Sequence, residues 1–241
     1  MISVSEAIVL RVVRYSDTRW MVDMLSREWG RVSFACSVSG GRRGTGLRNI
    51  LQPLSLLSVT ADYRPSQEVQ RLSSAHLSVP YGELMMNLEK LSVGLFLSEF
   101  LVYSTRGCER DERLFDFVRE SLLWFDQMNE GVANFHLLFM IRLGGYLGFF
   151  PNLEDYREGY VFDLRLASFV GVEPDHLDYV PARESAHLLL LMRMSWQNLK
   201  HFRLSHHERN RILDYILAYY RLHVAGFPEL KSVDVVKSLF E

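Results

Sequence analysis

The sequence predicts an α+β protein: a small five-stranded β-barrel, then an all-α helical domain with a small irregular insert. Three observations carry that prediction. Through roughly the first 75 residues, apolar and polar side chains alternate with a period of two in short runs parted by turn residues. After Pro80 the apolar period lengthens to that of a helix. Between residues 152 and 181 neither period holds, which marks an insert.

Ser5–Val13 and Trp20–Ser26 read as the first two strands, joined by the turn residues Tyr15, Ser16, Asp17 and Thr18. Gly30 opens a third, Arg31–Val38, which runs into the loop Ser39–Arg48. Ile50–Tyr63 reads as a fourth strand, and Pro53 near its start suits an edge or the strand's first residues. After the turn Arg64–Gln67, Glu68–Leu72 makes a short fifth. Five short strands in this spacing suit a Greek-key barrel of the OB type, although an SH3-like barrel gives a similar pattern.

Glu83–Thr105 places Leu84, Leu88, Leu91, Leu95 and Phe100 on one broad face, and Asp111–Met128 follows with Asp111 as candidate N-cap. Asn134–Phe149 is apolar nearly all round, so it belongs at the centre of a helical core, with Pro151 as its stop. Tyr160–Asp163 and Ser168–Gly171 look like short strands in the insert. Two further helices, Ala182–Leu199 and Ser205–Leu222, precede a short amphipathic tail, Glu229–Phe240. The expected domains are residues 1–80, the barrel, and 81–241, the helical part carrying the insert 152–181.

The formal net charge of −2 conceals an asymmetry: residues 1–80 hold ten arginines and six acids, a balance of +4, and the remainder carries −6. Two cysteines, Cys36 and Cys108, make neither a disulfide framework nor a four-cysteine zinc site. No basic leader with a long apolar core opens the sequence, and no apolar run is long enough to span a bilayer, so a cytoplasmic, nucleoid-associated protein without membrane contact is expected. The phosphate-binding G-x-x-x-x-G-K-[ST], the nucleophile elbow G-x-S-x-G and the zinc-binding H-E-x-x-H are all missing, so neither catalysis nor a cofactor is expected. His201, His206 and His207 lie beside arginines and without a matching carboxylate or cysteine, which suits a solvated helix surface better than a metal site.

The most informative stretch is the basic loop. No carboxylate occurs between Glu28 and Asp62, so along the chain nothing offsets Arg31, Arg42, Arg43 and Arg48. Glycines at 40, 41, 44 and 46 would let the backbone approach a ligand, and forked guanidinium groups bind phosphate. Nucleic-acid contact by these four arginines is the expectation, with Arg11, Arg14 and Arg19 as further candidates. Trp20, Trp29, Phe34 and Tyr63 are candidates to stack on bases, though aromatic residues at such positions more often fill a core.

Taken together these residues resemble the bacterial RecO family. The likeness runs from Ala7-Ile8-Val9-Leu10-Arg11 and Tyr15-Ser16-Asp17 through Gly30-Arg31-Val32, Gly41-Arg42-Arg43 and Leu51-Gln52-Pro53. It resumes at Leu143–Pro151 and ends with Gly226-Phe227 and Leu230–Phe240, covering most of the chain. The resemblance implies an N-terminal OB fold, a helical domain and non-catalytic binding of single- and double-stranded DNA. It further implies strand annealing and partnership with RecR, with the acidic tail of single-stranded DNA-binding protein (SSB) and, indirectly, with RecA. Lys200, Arg203 and Arg221 are the candidate receivers of that tail. Many relatives hold zinc with four cysteines after a Leu-Gly-Phe-x-Pro element; residues 152–171 here contain none, so no metal is expected, and Tyr160, Phe162 and Phe169 are expected to hold the insert. The alternative reading is a helical adaptor whose barrel binds peptides.

Overall fold

A computed structural model describes residues 2–38 and 42–240, with the side chains of residues 42–45 outside that description. The chain forms two compact units, Met1–Asp126 and Gln127–Glu241.

In the first unit, β1 (Ile2–Arg14), β2 (Arg19–Ser26) and β3 (Gly30–Ser37) form an antiparallel meander. β4 (Leu56–Asp62) and β5 (Val69–Val79) pair antiparallel, and β4 returns to β1. β1 serves both halves of the barrel: Ile2–Ile8 lie along β4 and Ala7–Arg14 along β2, with a bulge between Val9 and Arg11. Such a bulge bends the strand and lets it turn the corner. A short parallel pairing of Ser33–Ala35 with Val69–Arg71 closes the ring in the order β1-β2-β3-β5-β4. With a helix, α1 (Arg42–Ile50), between β3 and β4, this is an OB fold. The alternation read from the sequence has its cause in the interior, where Val9, Val22, Met24, Phe34, Leu57 and Val59 meet.

α1 is a correction. Residues 42–48 were expected as loop because of their glycines, and Ile50 as the start of a strand, yet Arg42–Ile50 forms a helix whose Leu47 and Ile50 pack against the barrel core at a spacing of three. Burial of that pair outweighs the poor helix propensity of Gly44 and Gly46. The fourth strand therefore begins at Leu56, and Pro53 lies in the turn before it, where Leu54 takes φ 66°.

α2 (Leu88–Ser104) packs on β1, and the Ser98 hydroxyl donates to the Leu10 carbonyl at 2.6 Å beside the bulge. It starts later than its periodicity suggested, because the Asp126 carboxylate accepts the amides of Gly82, Glu83 and Leu84 at 2.7–2.9 Å and draws them out of a helix. α3 (Glu112–Gln127) is capped as expected: the Asp111 carboxylate accepts from Arg113 and Leu114. Gly30 has φ +67°, and a Cβ there would lie 2.5 Å from the backbone of Glu109 in the α2–α3 connection, so only glycine fits. α2 and α3 thus share the barrel's compact unit, which extends past the boundary read near residue 80.

The second unit contains α4 (Phe135–Tyr146), α5 (Ala182–Arg193), α6 (His206–His223) and the short α7 (Val233–Lys237). α4 is buried along most of its length, as its uniformly apolar sequence requires. Gly148, not Pro151, stops it: φ is +89° there and the Phe149 amide reaches back to the Gly144 carbonyl at 2.9 Å. α5 ends six residues before Leu199, where Met194 turns extended and the Asn198 side chain accepts from the Ser195 amide. α6 opens with a reciprocal capping box between Ser205 and Glu208.

The insert folds into a three-stranded antiparallel sheet of β6 (Val161–Asp163), β7 (Ser168–Val170) and β8 (Tyr179–Val180) in the order β7-β6-β8. Phe162 and Phe169 are buried with ring centroids 5.0 Å apart, and Tyr156 meets Phe169 edge-on. The Tyr160 ring lies against Gly171. From α5, the Ser185 hydroxyl accepts the Phe162 amide and donates to the Val180 carbonyl, pinning the sheet.

Candidate nucleic-acid interface

The barrel sorts the predicted arginines by what lies opposite them across the strands. The acid missing from the local sequence comes from β2: Asp23 sits across from Ser33. Its carboxylate accepts from the Ser33 hydroxyl at 2.6 Å and pairs with Arg11 at 2.7 Å and Arg31 at 3.4 Å. Burial pushes the Asp23 carboxyl up, but the Ser33 hydrogen bond and the Arg31 and Arg11 charges outweigh it and hold the group below its usual range. Arg31 is itself 13% exposed. The expectation that no acid offsets Arg31 is therefore corrected, and its guanidinium belongs to the barrel wall.

Arg48 is likewise committed. Its Nη2 donates to the carbonyls of Asp17 at 2.5 Å and Val38 at 2.9 Å, tying α1 to the β1–β2 turn. Arg42 and Arg43 open α1, and their side chains lie outside the described residues. The Arg14 guanidinium covers the Trp20 ring at 4.7 Å. Arg19 is exposed at the start of β2, and no described carboxylate pairs with it.

The aromatic candidates are also used internally. Trp29 and Tyr63 stack on each other with centroids 5.3 Å apart and planes 8° from parallel, Phe34 meets Trp29 edge-on, and Trp20 is buried beneath Arg14.

A concave surface opens where the pairing of β3 with β5 ends. It is a groove of about 860 Å³ lined by Tyr15, Arg19, Met21, Ala35, Ser37 and Arg71 among others. It continues into a second hollow of about 530 Å³ edged by Arg64 and Arg71. The strand register explains the lining: Arg71 lies opposite Ala35 and Ala35 opposite Met21, so outward-facing side chains of three strands share one face. Gln70 stiffens the adjoining turn, its amide bonding to the Arg64 amide and to the Arg64 and Gln67 carbonyls.

Arg64 is paired with Asp62 at 2.8 Å, whereas Arg71, like Arg19, is exposed with no described carboxylate partner. Neither Arg71 nor Tyr15, which is 71% exposed, was a candidate binding residue in the sequence. The available signal for Tyr15 was its place in a turn, where a large ring has no core to enter; Arg71 became recognisable only through the β3–β5 pairing.

In the second unit, Lys200 pairs with Glu130 at 3.3 Å, while Arg203 and Arg221 are exposed. Arg209, one of the basic residues of this C-terminal region, is buried at the base of α6 and donates to Asn134, to the Leu204 carbonyl and to the Phe240 carbonyl of the folded-back tail. Among the described residues no three His, Cys, Asp or Glu side chains gather as a group that could hold a metal ion. No described helix is long and apolar enough to cross a membrane.

The strand order, the helix between β3 and β4 and the cation-edged groove define an OB-fold protein continued by a helical region. Comparison with known proteins narrows this further. The family description "Recombination protein O N terminal" matches residues 1–81 and "Recombination protein O C terminal" matches residues 85–233. The chain is 40% identical over 240 residues to the DNA repair protein RecO of Phocaeicola vulgatus, and 39% identical over 242 residues to that of Bacteroides fragilis. A DNA repair protein RecO of Porphyromonas gingivalis is 38% identical over 247 residues, and all three comparisons cover 100% of both chains. The chain belongs to the RecO family.

Proposed function

We propose that this protein is a non-catalytic recombination mediator in DNA repair, binding single- and double-stranded DNA through the barrel groove. The barrel, residues 1–80, would be the DNA-binding domain and residues 81–241 the platform for protein partners. The observation that carries the reading is the groove itself: an open face across β2, β3 and β5 with Arg19 and Arg71 at its edges, exposed and without a described carboxylate to offset them. Unpaired guanidinium groups release counterions from a phosphate backbone, which favours binding without regard to sequence. Arg14 and, at the start of α1, Arg42 and Arg43 would extend that surface.

In this role no bond is made or broken. Annealing needs two repelling backbones neutralised and their bases left free to search, which loose phosphate contacts on an open groove permit. The protein would anneal complementary strands coated by SSB and, with RecR, help load RecA. The helical region near Lys200, Arg203 and Arg221 would receive the acidic SSB tail, and family membership supports each of these steps. The test is fluorescence anisotropy of labelled single-stranded and duplex DNA across a salt series. Arg19→Ala and Arg71→Ala are each expected to weaken binding to every sequence and to lower the salt slope by about one. Unchanged slopes in both variants overturn the groove as the site.

A further inference from the structure

We infer that Tyr15 is the residue by which the groove distinguishes single-stranded from duplex DNA, its ring stacking on an unpaired base. The inference rests on the groove being the DNA site. Three features carry it. Tyr15 is 71% exposed, although an aromatic ring of this size gains by burial, and it lines the groove instead of packing beneath it.

Its position is also fixed. The Tyr15 and Ser16 amides both donate to the Arg19 carbonyl, and the Ser16 hydroxyl accepts the amides of Thr18 and Arg19. Ring and cation are thus carried on one tight turn, with little backbone freedom left to lose on binding.

Finally, the floor beside the ring is low. Ala35 and Ser37 are exposed small residues on the central strand, with Met21 on one side and Arg71 on the other. A base can lie flat there while its flanking phosphates reach Arg19 and Arg71. The other aromatic rings of the barrel do not compete for this role: Trp29 and Tyr63 cover each other, and Arg14 covers Trp20. In a duplex each base face is already covered by its neighbours, so Tyr15 gains nothing from paired DNA, whereas the two arginines bind both forms alike.

The experiment uses the full chain, with a labelled oligothymidylate and a labelled, fully paired linear duplex. Tyr15→Ala is expected to weaken oligothymidylate binding about tenfold or more and to leave duplex binding unchanged, and Tyr15→Phe to restore it. Tyr15→Leu keeps the apolar bulk without the ring face and is expected to behave like Tyr15→Ala. An equal loss on both ligands, no loss on either, or full rescue by Tyr15→Leu overturns the inference while leaving the groove reading intact. If Arg19→Ala and Arg71→Ala leave both affinities unchanged, the groove reading itself fails and takes this inference with it.

Discussion

Asp23 shows at the scale of single residues why charge cannot be balanced along a chain alone. No acid lies between Glu28 and Asp62, yet the β2–β3 ladder lays Asp23 opposite Ser33 and within reach of both Arg11 and Arg31. The number of arginines was legible in the sequence; which of them remain free was not, because pairing across strands depends on register. In the second unit His136 makes the complementary point. It is wholly buried in α4, and burial, helped by the Arg209 charge, pulls its pKa from 6.5 down to about 3. Folded His136 therefore stays neutral where the unfolded chain binds a proton. Its contribution is fully present above pH 6.5 and is lost as the pH falls from there toward 3, at up to about 1.4 kcal/mol per pH unit. Urea denaturation of the full chain at stepped pH is expected to show that slope, and His136→Gln to flatten it.

Among the elements, the strands and most helices could be read because their apolar periods arise from a single burial geometry each. α1 could not. Its nine residues include Gly44 and Gly46, and the two apolar side chains that hold it to the barrel, Leu47 and Ile50, are too few to set a period. A helix held by packing against its own propensity is open to improvement. Gly46 is exposed, and a Cβ there would meet nothing within 4 Å, so Gly46→Ala is expected to stabilise the unit by about 0.5–1 kcal/mol. A higher urea midpoint with an unchanged m-value would show it. A lower midpoint would mean that the glycine serves a conformation other than this helix. The helix ends were the least legible feature, since the Gly148 turn and the Asp126 carboxylate that delays α2 act through contacts remote from any periodic pattern.

On the scale of the molecule, the order barrel-then-helices was visible as a change of period near residue 80, and the compact unit that holds the barrel runs on to Asp126. α2 carries apolar residues on more than one face and could be assigned to either side; the Ser98 bond to Leu10 and the packing of α2 on β1 join it to the barrel's unit. The insert was recognisable by what it lacks, and its substitute for cross-linking is aromatic. Phe162 stands at the centre of that cluster, against Phe169 and Tyr219, with its own amide bound to Ser185. Phe162→Ala is expected to cost about 3–5 kcal/mol, read as an early loss of helicity in thermal unfolding. A cost under about 1 kcal/mol would show that the insert folds independently of its ring cluster.

The parallel junction between Ser33–Ala35 and Val69–Arg71 is the shortest ladder in the barrel, and it joins segments 36 positions apart in the chain. Its few rungs must offset the entropy of closing that long loop, so this joint is expected to open before the longer ladders do. Arg19 stands on the β2 side of the joint and Arg71 on the other. A polyanion gripping both would act as a staple, stiffening the ring by the free energy of its own binding. The converse would also hold: a parting of the joint would pull the two grips apart and loosen what they hold. A strand kept in this way would be let go without any input of chemical energy, at a tempo set by how often the barrel opens.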